Sequence, residues 1–94
     1  MKMTAPDFTG KLVSVSITGD SYTYAIDRPR FESQSGRLFL VGIVPRGGSN
    51  GDWSEGAVRG VAWDSVTDYL VFESVEHYEK SLKKFKKYKK KSDA

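Results

Sequence analysis

A mainly β fold of the α+β class is expected: a small antiparallel sheet of about five strands, open or partly closed into a barrel, with one C-terminal amphipathic helix. Three observations predict it. Apolar and polar residues alternate at period two between Lys11 and Asp27, turn-forming clusters cut residues 28–73 into short apolar runs, and from Val75 onward the apolar spacing changes to three and four. The 94-residue chain, 38% hydrophobic and 13% aromatic, has the size and composition of one folded domain with one core.

The first two strands specify their own pairing. Val13, Val15 and Ile17 alternate with serines, and Tyr22, Tyr24 and Ile26 alternate with small or polar residues. Between them Thr18-Gly19-Asp20-Ser21 places glycine at the first central position of a two-residue II′ turn. That turn opposes Ile17 to Tyr22, Val15 to Tyr24 and Val13 to Ile26, gathering all six on one buried face and leaving Ser14, Ser16, Thr23 and Ala25 on the other. Pro29 lacks an amide donor and pushes Arg28 toward extended geometry, so the second strand is expected to end there.

Glu32 to Gly36 reads as a turn, followed by Arg37 to Val44, which is apolar on both faces and is expected to be the most buried strand. Its Gly42 suits a bulge or a close backbone approach, and Pro45 stops the run. Residues 46–52 hold three glycines and no large apolar anchor, which predicts a mobile connection. A further strand begins near Ala57 and passes Val61 and Trp63, and another covers Tyr69 to Glu73. Between them lies either a tight reversal at Asp64-Ser65 or a five-residue loop from Asp64 to Asp68, the loop being preferred.

Ser74 is placed to cap a helix, with Glu76 and Glu79 near the positive end of its dipole. Val75, Tyr78, Leu82 and Phe85 form one stripe, and Glu76–Lys80 and Glu79–Lys83 are i,i+4 pairs in the favourable order. The expected organisation is a flexible segment over residues 1–10, one β-rich domain over 11–85 with its helix from about Val75, and a fraying lysine-rich tail over 86–94. In its economy of elements this arrangement resembles SH3-like and other small barrels, a likeness of architecture that carries no function.

Charge is unevenly distributed. Residues 1–79 hold seven basic and eleven acidic side chains, a net −4, whereas residues 80–94 hold eight lysines and one aspartate, a net +7. Basic character therefore belongs to the tail alone, where Lys83, Lys84 and Lys87, with Tyr88 interleaved, are candidates for gripping an anionic partner. The competing reading, which is preferred, is a solvated helix end whose lysines offset the acidic body and favour the negative end of the helix dipole. Arg46 opens an Arg-Gly-Gly triplet of the kind RNA-binding tracts repeat, although one copy is not a tract and no phosphate-loop ending follows. Trp53 is either the lid of a core edge, which is preferred, or an exposed contact residue.

Catalysis is not expected. The chain has no cysteine, and its single histidine, His77, reads as a surface helix residue beside Glu76 and Tyr78. Asp64 and Asp68 suit turn-forming roles better than a paired-carboxylate or metal site, and no cofactor is expected. No apolar run approaches the roughly 18 residues of a membrane span, and a cytoplasmic location is expected. The leading reading is thus a non-enzymatic binding or protein-interaction module. The alternative is a nucleic-acid-binding small barrel that uses its lysine-rich helix.

Overall fold

A computed structural model describes residues 6–49 and 52–92, with side chains as far as Lys86. Five strands, β1 (Leu12–Ile17), β2 (Thr23–Gln34), β3 (Arg37–Ile43), β4 (Val58–Ala62) and β5 (Val66–Phe72), form one antiparallel sheet in the order β4-β3-β2-β1-β5. Helix α1 (Val75–Ser92) follows at once. Strands β4 and β5 do not pair with each other, so the sheet is open.

The β1–β2 pairing has the expected register, with Val13 opposite Ile26, Val15 opposite Tyr24 and Ser16 opposite Thr23. The turn differs. Asp20 N–H donates to Ile17 C=O at 3.3 Å with Gly19 at φ 78°, and the Asp20 carboxylate accepts from Tyr22 N–H at 2.9 Å. The connection therefore runs over residues 18–22, the Ile17–Tyr22 pair is not made, and Tyr22 is 73% exposed instead of buried. Ile17 opposes Val66 of β5, after an irregularity that leaves Thr67 without a partner.

Pro29 does not end β2. The strand absorbs it in a bulge, where Asp27 opposes Ile43 and Arg30 opposes Val41, with Arg28 at φ 48°. Beyond the bulge β2 continues to Gln34, so the turn expected over 32–36 shrinks to Ser35-Gly36. Their φ angles of 52° and 77° fit a two-residue I′ turn. Gly42 faces the bulge. A Cβ there would lie 2.4 Å from Ile26 Cγ2 and 2.7 Å from the Asp27 carbonyl oxygen.

Between β4 and β5 a 3-10 turn, Trp63–Ser65, makes the tight reversal, with Val66 already in β5, and the longer loop is not formed. Arg37 fixes this corner by donating to the Asp64 carboxylate at 2.9 Å. The most buried strand is β1 and not β3: both are interior to the sheet, but β1 buries Val13 and Val15 on one face and Leu12 on the other, whereas Leu38 at the start of β3 is exposed.

Those two faces carry two cores. On the inner face Val13, Val15, Ile26, Leu40 and Val61 are joined by Phe8, which is 5% exposed and packs against Phe31, Trp63 and Tyr69. Phe8 thus packs into the core although it lies inside the stretch 1–10 expected to be flexible, of which residues 1–5 lie outside the described ones. On the outer face Leu12, Ala25 and Tyr78 are buried together with Phe72, Val75 and Leu82 packed around them. The face read as a serine face is therefore where the helix docks. Ser74 caps α1, its Oγ accepting from His77 N–H at 3.1 Å, and the helical backbone extends to Ser92 through residues expected to fray.

Gly42→Ala is expected to destabilise the fold by up to about 3 kcal/mol, because backbone as well as side-chain atoms block the added methyl. Gly60→Ala, where a Cβ would meet nothing nearer than 3.7 Å, is expected to be neutral to about 1 kcal/mol stabilising. Urea denaturation of both variants checks this, and equal midpoints would contradict the bulge geometry.

Candidate functional site

Where β3 ends, Pro45 starts a loop that the sheet and helix hold from several sides. Gly48 N–H closes a turn on Pro45 C=O at 2.9 Å, and the Asp52 carboxylate accepts from Gly47 N–H at 2.7 Å. Gly47 adopts φ 81°, and a Cβ there would come within 2.8 Å of Leu82 Cδ1. Arg59 reaches across from β4, its Nη1 donating to Ala25 C=O at 3.0 Å and Gly48 C=O at 3.3 Å, while Tyr78 OH donates to Gly47 C=O at 3.4 Å. The connection expected to be independent of the sheet is pinned at residues 47–48; residues 50 and 51 lie outside the described ones.

Docking the helix against this loop leaves an open cleft of about 390 Å³. Arg46, Gly47 and Asp52 form one wall, and Glu79, Leu82, Lys83 and Lys86 the other. Helix spacing explains the second wall, because residues at i, i+3, i+4 and i+7 share one face. The lining carries three cations and two carboxylates, with the apolar Leu82 between them. Ion pairing between Glu79 and Lys83, expected from their spacing, is not formed. Burial pushes the Tyr78 phenol above its ordinary pKa, an effect that Arg59 opposes and Asp52 reinforces.

A second hollow of about 260 Å³ opens at the seam of the sheet, between Ile17, Tyr24, Arg59–Ala62 and Ser65. The Arg59 guanidinium carbon stands 5.2 Å from the centre of the Tyr24 ring, and burial lowers the Arg59 pKa. Tyr24 OH donates to the Asp20 carboxylate, which raises the phenol and, with Tyr22 N–H, holds Asp20 below its ordinary value. Arg59 thus reaches both hollows: it lines the second and fastens the loop that forms the first.

Of the residues singled out from sequence, Arg46 and Lys83 meet in the first cleft. Trp53 does not cover a core edge. It is 84% exposed, beyond the cleft wall and next to Asp52 in the chain. Lys84 is exposed and does not line the cleft, and Lys87 and Tyr88 lie on the α1 backbone with side chains outside the described ones. Lys86, Glu79 and Asp52 also line the cleft, and the sequence marks none of them as a binding residue. The stripe that contains Glu79, Lys83 and Lys86 was available in the helical spacing, whereas Arg59 carries no local signal because its partners are 11 and 34 residues away.

His77 serves the helix start, its Nδ1 accepting from Glu73 N–H at 3.1 Å and its ring meeting Phe72 edge-on. Asp64 holds Arg37, and Asp68 is exposed on β5. Among the described residues no group of three or more His, Cys, Asp or Glu is placed to hold a metal. No helix among them is long and apolar enough to cross a membrane. No protein-family model, curated protein or solved structure matches the chain.

Arg59→Met is expected to cost about 2 kcal/mol, the scale of hydrogen bonds from a charged donor, and to speed amide exchange at residues 47–48. Unchanged exchange there would remove Arg59 from its fastening role. For Asp20 the folded carboxylate lies below its unfolded pKa, so its stabilisation is complete above the unfolded value and lost as pH falls through the folded one. A carboxylate-detected NMR titration should place Asp20 below an ordinary aspartate, and Tyr24→Phe should move it upward.

Proposed function

We propose that the protein is a non-enzymatic binding module whose binding surface is the cleft between the 46–52 loop and α1, and that its partner is nucleic acid. The observation that carries this reading is the convergence of Arg46, from the loop, with Lys83 and Lys86, from the helix, on one open surface. Phosphates suit such a surface, because each cation that meets a phosphate releases condensed counterions. The surface continues into a helix whose chain from Lys80 to Lys91 carries eight lysines. Exposed aromatic groups, Trp53 and the 60%-exposed Phe85, supply faces for stacking unpaired bases, which favours a single strand.

The strand order, the bent β2 and the 3-10 turn before β5 support reading the sheet as an SH3-like small barrel left open at its seam. That assignment concerns architecture and adds no partner. A cytoplasmic location belongs to the same proposal. The second reading, a protein-interaction module, is favoured by Trp53, since a tryptophan exposed to 84% is the residue type that anchors protein interfaces.

Salt separates the two. Binding of a labelled single-stranded oligonucleotide, followed by anisotropy, should weaken linearly in log–log form as salt is added. Arg46→Gln combined with Lys83→Gln should flatten the slope by about 1.4, near 0.7 per lost phosphate contact. Absence of oligonucleotide binding at low salt, or a slope unaltered in the double variant, would overturn the nucleic-acid reading. Salt-insensitive capture of an apolar protein surface that is lost in Trp53→Ala would establish the other.

A further inference from the structure

The outer edge of β5 is the longer and less protected of the two edges of the sheet. Its burial runs exposed from Thr67 to Val71, with Tyr69 at 42%, Leu70 at 62% and Val71 at 43% exposure. Natural edge strands are commonly blunted by lysine, proline or shortness. Strand β5 has seven residues and no lysine or proline. By contrast β4 has five, with Gly60 at its centre and Arg59 drawn away to the loop. Among the described residues nothing pairs with the outer side of β5.

The phase of the backbone groups along this edge follows from the ladder. Arg28 N–H donates to Lys11 C=O at 2.9 Å, so Lys11, and by alternation Val13 and Val15, turn their amide groups toward β2. Leu12, Ser14 and Ser16 then turn theirs toward β5, where they face Phe72, Leu70 and Asp68. The N–H and C=O groups of Tyr69 and Val71 therefore point outward, two residues apart on a stretch whose pairing with β1 is regular from Asp68 to Phe72.

We propose that this edge pairs antiparallel with the same edge of a second copy of the chain, about a twofold axis through Leu70. This register hydrogen-bonds Tyr69 of each copy to Val71 of the other and sets Leu70 against its own counterpart. It opposes Asp68 to Phe72, so no two like charges face each other. Centring the axis on Asp68 would instead oppose two carboxylates. The edge is self-complementary in hydrogen-bond phase, and about this axis it sets its one charge, Asp68, against an apolar residue and not against a like charge; that self-complementarity is what identifies the occupant as a second copy. The axis stands perpendicular to the sheet, so the two five-stranded sheets join edge to edge and both α1 helices lie on the same side. This pairing is independent of what the loop–helix cleft binds.

Sedimentation equilibrium of the full chain across the micromolar range tests it, with hydrogen exchange on the same samples. The expected result is a reversible dimer whose Tyr69 and Val71 amides become protected as concentration rises. Leu70→Lys, at a side chain exposed in the single chain, should remain folded by circular dichroism and sediment as a monomer, as should Leu70→Glu. Mixing the two variants should restore a dimer, because the axis brings lysine against glutamate. A wild type that stays monomeric throughout, a Leu70→Lys variant that still dimerises, or a mixture that remains monomeric would each overturn the proposal.

Discussion

The fold depends on one close approach, between Gly42 of β3 and the Asp27–Pro29 segment of β2. Without a side chain on Gly42 the two backbones come near enough for β2 to carry a bulge, and the bulge lets one strand serve two partners in sequence. Residues before Arg28 pair with β1, and residues beyond it pair only with β3. The inner core fills one face of the bent sheet, and the other face offers Leu12 and Ala25 to the helix. Pro29, a breaker in a flat ladder, costs little here because the bulge leaves it unpaired.

From that bend the position of the cleft follows. Ala25 lies just before the bulge, and its carbonyl is one of the two that Arg59 grips; the other, Gly48 C=O, belongs to the loop. One guanidinium therefore ties β4, β2 and the loop together, and does so without a carboxylate partner among the described residues. A planar donor fork satisfies several carbonyls at once, which an ammonium on a flexible stem does with far less geometric definition. Tyr78 completes the arrangement from the helix side by donating to the neighbouring Gly47 C=O. The wall carrying Arg46 is thus anchored by residues that belong to the fold rather than to the cleft.

Legibility in the sequence followed the range of the interactions. The β1–β2 register could be read because pattern and local turn chemistry agree over some fifteen residues, and it survived even though the turn itself is built differently, around the Asp20 carboxylate. The continuation of β2 past Pro29 could not be read, since it rests on Gly42 thirteen residues further on. Nor could the burial of Leu12 and Ala25 on what looked like a serine face, which depends on a helix more than fifty residues away. Trp53 misled for a related reason. Large aromatic residues tend toward the interior, but the inner core already holds Phe8, Phe31 and Trp63 in edge and stacked contacts, with the exposed Tyr69 ring against its rim, and Trp53 lies outside that cluster.

The division of charge between body and tail takes on a different meaning once the contacts are known. If the lysines existed to offset the acidic body, body carboxylates should meet them. Instead Asp64 holds Arg37, Glu73 holds Lys11, Glu32 holds Arg30 and Asp20 holds Tyr24, each at a short range of its own. Among the described residues none of Lys80, Lys83, Lys84 and Lys86 forms an ion pair. The helix is held to the body by Val75, Tyr78 and Leu82, an apolar stripe that needs no electrostatic help. The charge of these four lysines is consequently not used in docking. The proposed nucleic-acid reading draws on this, because a polyanion meeting these lysines would have no internal ion pair to break first, although the Asp52 and Glu79 carboxylates on the same cleft oppose it.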